Sequence, residues 1–191
     1  MTYSRTTRIL HALLALTITF QLIVSLVMDH PHIARPMSHA GAIWFEWHEW
    51  VGLTVVAVLL VSWIYRLMNF QREAQGQLFP WLNAPGRSEL LAESGQLLSL
   101  KKWTTLPETG ALAGTIHGLG LLIATAMAVT GGVLYLKLWP ANIVTGNTAD
   151  LMDVHSNLAT IMWAYLYGHG LMAVWHQFIA HASISKMFRL R

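Results

Sequence analysis

Apolar positions in this chain come in four long blocks, Ile9 to Met28, Val51 to Leu67, Leu112 to Trp139 and Leu151 to Ile179. Each approaches or exceeds the roughly 20 residues a helix needs to cross the hydrocarbon core of a bilayer. The pattern predicts four transmembrane helices at about 8–28, 44–68, 110–138 and 151–180, within a single domain over 1–191. A long polar connection occupies about 69–109. The expected fold class is an all-α, integral membrane four-helix bundle. The first block has the basic start of a signal peptide but ends in Met28-Asp29-His30-Pro31, without a small-residue cleavage site, and reads as a retained helix.

Composition agrees with that placement. Hydrophobic residues make up 54% of the 191 and charged residues 11%, against about 25% charged in an ordinary soluble domain. The net charge of +3 is unevenly distributed. Arg5 and Arg8 precede the first block, Arg66, Arg72, Arg87, Lys101 and Lys102 separate the second from the third, and Lys186, Arg189 and Arg191 follow the fourth. The two other connections hold only Arg35 and, near the third block's end, Lys137. The positive-inside rule therefore puts both termini and the long loop in the cytoplasm of a multi-pass membrane protein. Lipid accounts for these charges, and no nucleic-acid partner is needed.

The polar residues inside the apolar blocks carry the chemistry. There is no cysteine, which excludes disulfides, thiolate-held iron–sulfur clusters and covalent haem attachment through C-x-x-C-H. Histidine occurs ten times, and His11, His48, His117, His155 and His169 fall within the blocks or at their ends. Ionisable groups at such depths are costly enough to point to function. His155 and His169 are fourteen residues apart, about 21 Å of helical rise and about 40° of rotation, so they share a face at two depths.

Given the alternating directions of the four helices, the histidines sort into two depth classes. His48 and His155 lie toward the outer side, just inside a belt of Trp44, Trp47 and Trp50. His11 and His169 lie toward the cytoplasmic side, together with His117 and, farther along the last helix, His176. Two imidazoles from facing helices are what a six-coordinate, non-covalently held haem requires, and helix bundles are natural places for such sites. Zinc would need a compact cluster of four ligands, which the spans lack. The outer class offers the pair His48 and His155. The inner class leaves His11, His169, His117 and His176 in competition, with His117 and His176 equally suited to orienting a propionate.

Other stretches read as structural. His30, His32 and His39, in the loop after the first block, have no carboxylate or thiol at a metal-site spacing and are expected to be solvated. In the long loop, Leu78-Phe79-Pro80-Trp81-Leu82 reads as an interfacial anchor, and Ser88 to Trp103 as an amphipathic helix lying on the membrane. Gly114-x-x-x-Gly118 suggests close helix packing. Gly168 and Gly170 flank His169 and, with Gly52 and Gly118, would let a flat macrocycle approach the backbone.

The residues resemble the bacterial di-haem cytochrome b561 family, which is related to the cytochrome b subunits of hydrogenases. The likeness rests on Asp153-Val154-His155 followed fourteen positions later by Gly168-His169, on Leu10-His11-Ala12 and on Trp47-His48. It covers nearly the whole chain. It implies two b haems in the bacterial inner membrane, held by His11 with His169 and by His48 with His155.

The function expected from these features is electron transfer through two haems, between a periplasmic redox protein, such as a c-type cytochrome, and membrane quinone. Asp153, Glu46, Glu49, Asn157 and Thr160 are candidates for supporting the ligands. As a stand-alone enzyme it would be a superoxide:ubiquinone oxidoreductase, the case the family suggests. Intramembrane histidines also mark ion pathways, so a haem-free transporter or proton relay is the alternative of another class. Assembly into an oligomer is left open.

Overall fold

A computed structural model describes residues 4–31, 36–69, 78–98, 110–139 and 144–178. These form five α-helices: α1 (Arg5–Val24), α2 (His39–Met68), α3 (Ala84–Leu98), α4 (Ala111–Leu138) and α5 (Gly146–His176). A 3-10 turn, Pro80–Leu82, precedes α3. No strand occurs among the described residues.

Three of the helices, α1, α2 and α4, are long and apolar enough to cross a membrane. At 31 residues α5 is the longest, but Asp150, Asp153, His155, Asn157 and His169 interrupt its apolar run. Large apolar side chains remain exposed along the helices, among them Leu16, Leu60, Leu136 and Leu171 at 58–75%. Water would penalise such a surface by about 25 cal/mol per Å², whereas lipid does not.

The chain folds into two compact units. The first comprises Ile9–Val61 and Ile123–Leu166, and so takes a segment from each of α1, α2, α4 and α5. Its core is Leu22, Val24, Phe45, Val55, Leu59, Ala124, Leu134, Leu138 and Met162, each at most 9% exposed. The side-chain amide of Gln21 on α1 donates to the backbone carbonyl of His48 on α2 at 2.7 Å. Gly52 permits that approach, because a Cβ there would lie 3.1 Å from the Gln21 nitrogen. The helix α2 opens at His39, so Ser38 to Trp44 is not the loop that its histidine and polar residues suggested. Ser38 caps it by accepting from the Gly41 N–H at 3.0 Å, and Asp29 holds Ser38 by accepting from its N–H at 2.7 Å. A capping hydroxyl satisfies a helix donor that would otherwise lack a partner.

The second unit draws on Met1–Arg8, Ser62–Leu122 and Tyr167–Arg191. The Ser4 hydroxyl caps α1 by accepting from the Thr7 N–H at 3.1 Å, and it lies 2.9 Å from the Tyr65 hydroxyl. Trp63 stacks on Phe79 with centroids 6.2 Å apart, and Phe79 meets Trp81 edge-on at 5.4 Å. This aromatic row seats the Leu78–Leu82 stretch on α4 at Gly118. A Cβ on Gly118 would overlap the Leu78 carbonyl oxygen and lie 3.2 Å from the Trp81 ring, so this glycine admits the loop rather than a partner helix. Asn83 caps α3, accepting from the Gly86 N–H at 2.7 Å, so the helix begins before Ser88. Glu93, only 6% exposed, turns back to accept from the Leu112 N–H at 2.6 Å. A carboxylate at the positive end of a helix is the favourable arrangement.

Several residues used to orient the chain lie outside the described residues, namely Arg35, Arg72, Lys101, Lys102, Lys186, Arg189 and Arg191, as does His32. The same holds for the side chain of His176.

Candidate functional site

Within the first unit, α1, α2, α4 and α5 enclose a cavity of about 330 Å³, within the usual size range of cofactor pockets. His48 of α2 and His155 of α5 both line it. Their ring centroids are 6.3 Å apart and their planes are perpendicular, at 89°. An imidazole nitrogen sits about 2 Å from a bound metal and about 1.2 Å from its own ring centre, so two imidazoles on opposite sides of one ion have centroids about 6.4 Å apart. The observed separation fits that requirement. Ala124, Ala128, Gly132 and Ala159 contribute small walls to the cavity, and Gln21, Ser25, His30, Glu49, Tyr135 and Ser156 contribute polar ones.

Two features of α4 fix His155. Thr130 Oγ1 lies 2.8 Å from His155 Nδ1, and also 2.9 Å from the Ala126 carbonyl and 3.1 Å from the Met127 carbonyl. Next along the chain, Gly131 leaves room for the ring, since a Cβ there would lie 3.1 Å from His155 Cε1. His48 is held differently. Its backbone carbonyl takes the Gln21 hydrogen bond, while its Nδ1 is buried without a hydrogen-bond partner among the described residues. A buried imidazole nitrogen left without a partner is costly in a purely structural role, and a metal ligand is a role that would use it.

In the second unit, His117 of α4 and His169 of α5 meet edge to face, with centroids 5.1 Å apart and planes at 81°. Ligand nitrogens of the two lie within 4.8 Å of each other. His117 Nδ1 is 2.7 Å from the Ala113 carbonyl oxygen, an acceptor only, so Nδ1 carries the proton. His11 lies half-buried on α1, in the first unit. Among the described residues, nothing beyond the local helix comes within 4 Å of where a Cβ would sit on Gly168 or Gly170.

Of the polar residues expected to support the ligands, Glu49 lines the cavity. Glu46, Asp153, Asn157 and Thr160 are exposed, and the Thr160 hydroxyl donates to its own helix at the Ser156 carbonyl, 3.3 Å away. Sequence reasoning missed Thr130 and the role of Gly131. The signal was present, a hydroxyl followed by Gly-Gly within the apolar run of α4, but a hydroxyl in such a helix more often bonds only its own backbone.

The family model for prokaryotic cytochrome b561 matches residues 2–190. No curated protein and no solved structure gives a match. With the match running over almost the whole chain, this protein belongs to the prokaryotic cytochrome b561 family, whose members are membrane proteins of b-type haem electron transfer.

Proposed function

We propose that the protein is a four-span cytochrome of the bacterial inner membrane, both termini cytoplasmic, moving electrons through two b haems. The electrons would pass between a periplasmic redox protein or substrate and membrane quinone. The observation that carries this reading is the pair His48 and His155, 6.3 Å apart across a cavity in a chain of this family. These two residues would hold one haem. The family resemblance assigns the other to His11 and His169, which share a depth class, with His117 beside His169.

The bound group supplies one-electron cycling of iron, and the protein supplies ligation, orientation and tuning. Gln21 ties α1 to the backbone of His48, so α2 is anchored where its ligand emerges. Thr130 and Gly131 orient the ring of His155. The α5 helix, less apolar than the others, becomes the fourth span when its two histidines face inward and bind.

Purified protein in detergent, examined by a reduced-minus-oxidised visible spectrum with haem quantification, tests the reading. A b-type band with two haems per chain is expected. No such band would overturn the cytochrome reading in favour of a transporter or proton relay, and one haem per chain would overturn its two-site form. Rapid reduction of the isolated protein by superoxide would identify a stand-alone superoxide:ubiquinone oxidoreductase. A co-purifying periplasmic redox protein would identify a subunit.

A further inference from the structure

The hydrogen bond between Thr130 and His155 has a direction that its surroundings decide. A threonine hydroxyl has one proton and two lone pairs. The Ala126 carbonyl, 2.9 Å from Thr130 Oγ1, and the Met127 carbonyl, at 3.1 Å, can only accept, and they take that proton. The oxygen is then the acceptor toward His155 Nδ1, 2.8 Å away. The proton of the neutral imidazole therefore sits on Nδ1, and Nε2 presents a bare lone pair. In the opposite tautomer, with the hydroxyl proton held by the two carbonyls, no proton would fill the Nδ1 contact, and Nε2 could not ligate.

Gly131 eases this arrangement, because a Cβ at that position would press on the ring, 3.1 Å from His155 Cε1. His48, across the cavity, has no comparable partner at its buried Nδ1. The two imidazoles thus differ at Nδ1, where that of His155 has an acceptor to raise its basicity.

We infer that Thr130 is a positioning residue that fixes the ligating tautomer of His155 and lowers the reduction potential of the haem held there, an inference that rests on the haem reading of this site. Donation from the ring N–H to an acceptor strengthens the ligand and favours ferric over ferrous iron. Removing the acceptor favours the reduced form.

The test is potentiometric titration of detergent-solubilised holoprotein, with low-temperature EPR of the ferric state. Thr130→Val keeps the shape and removes the hydroxyl. It is expected to shift the ferrous-to-ferric ratio threefold to tenfold, raising the midpoint of one haem by about 30–60 mV for a one-electron couple, and to move the g-values of that haem alone. Thr130→Ser restores the hydroxyl and is expected to return both toward the parent. Should Thr130→Val not assemble, Thr130→Ala against Thr130→Ser carries the same comparison. Equal potentials in the hydroxyl-bearing and hydroxyl-free variants, with haem content intact, would overturn the inference. His155→Ala separates the two claims: if it retains every haem the site reading fails, and if it loses one while Thr130→Val changes nothing, only the role of Thr130 fails.

Discussion

The rings of His48 and His155 stand perpendicular, with centroids 6.3 Å apart, although 107 positions separate them in the chain (155 − 48). Hydrophobic packing alone has no use for two imidazoles facing each other across a cavity, since burying polar nitrogens costs about 1–3 kcal/mol each when they lack partners. The expected consequence is that either residue is indispensable to one haem and irrelevant to the other. His48→Ala and His155→Ala should each lower haem content by about half, measured by pyridine haemochrome assay per mole of protein. If either variant keeps its full haem content, this pair does not form an axial set.

Gly131 sets the clearance of His155. A Cβ 3.1 Å from His155 Cε1 obliges the ring to give by a few tenths of an ångström, and a branched side chain demands more. Gly131→Ala is expected to retain the haem with affinity lowered on the order of tenfold, in the range seen when support of a metal ligand is disturbed. Gly131→Val is expected to lose it. Alanine is favoured over glycine within a helix by up to about 1 kcal/mol, so haem-free Gly131→Ala should melt no lower than the haem-free parent. A lowered melting point with unchanged haem affinity would assign Gly131 to packing instead.

The all-helical class and the family were legible in the sequence, because apolar blocks of membrane length and the histidine spacing on the last of them are one-dimensional signals. What was not legible depends on rotation about helix axes and on contacts between distant segments. The reach of Thr130 to His155 needs α4 turned to one particular angle, and no spacing within α4 reveals it. Gly118 looked like half of a helix-packing motif, yet it meets the carbonyl of Leu78, forty positions earlier. The start of α2 at His39 hinges on one serine cap and one aspartate in a segment whose composition reads as loop.

That contact at Gly118 gives a prediction about the Leu78–Leu82 stretch. Gly118→Ala would drive a methyl group into the Leu78 carbonyl, which is backbone and cannot swing aside as a side chain does. Overpacking of this kind costs about 1–3 kcal/mol, against which helix propensity returns up to about 1 kcal/mol. A net fall in thermal stability in detergent is expected, with faster proteolysis near Phe79 and Trp81. The spectral signature of the haem at His48 and His155 should not change. Stability equal to the parent together with unchanged proteolysis would show that the stretch is not seated on α4.

The contact between His117 and His169 bears on the second haem site proposed above. The rings are neighbours at 5.1 Å, a nitrogen of each lies within 4.8 Å of the other, and His117 has its Nδ1 committed to the Ala113 carbonyl. The family resemblance favours His169, so His169→Ala should lose one haem and leave the haem of His48 and His155 in place. His117→Ala should keep both haems and alter only the spectrum or potential of the one nearby. The two variants are informative as a pair. Retention of both haems in His169→Ala with loss of one in His117→Ala would transfer the ligand role to His117. Loss in both single variants would show that ligation by one ring depends on the edge-to-face support of the other, and haem content regained by adding free imidazole to His169→Ala, but not to His117→Ala, would then separate ligand from support.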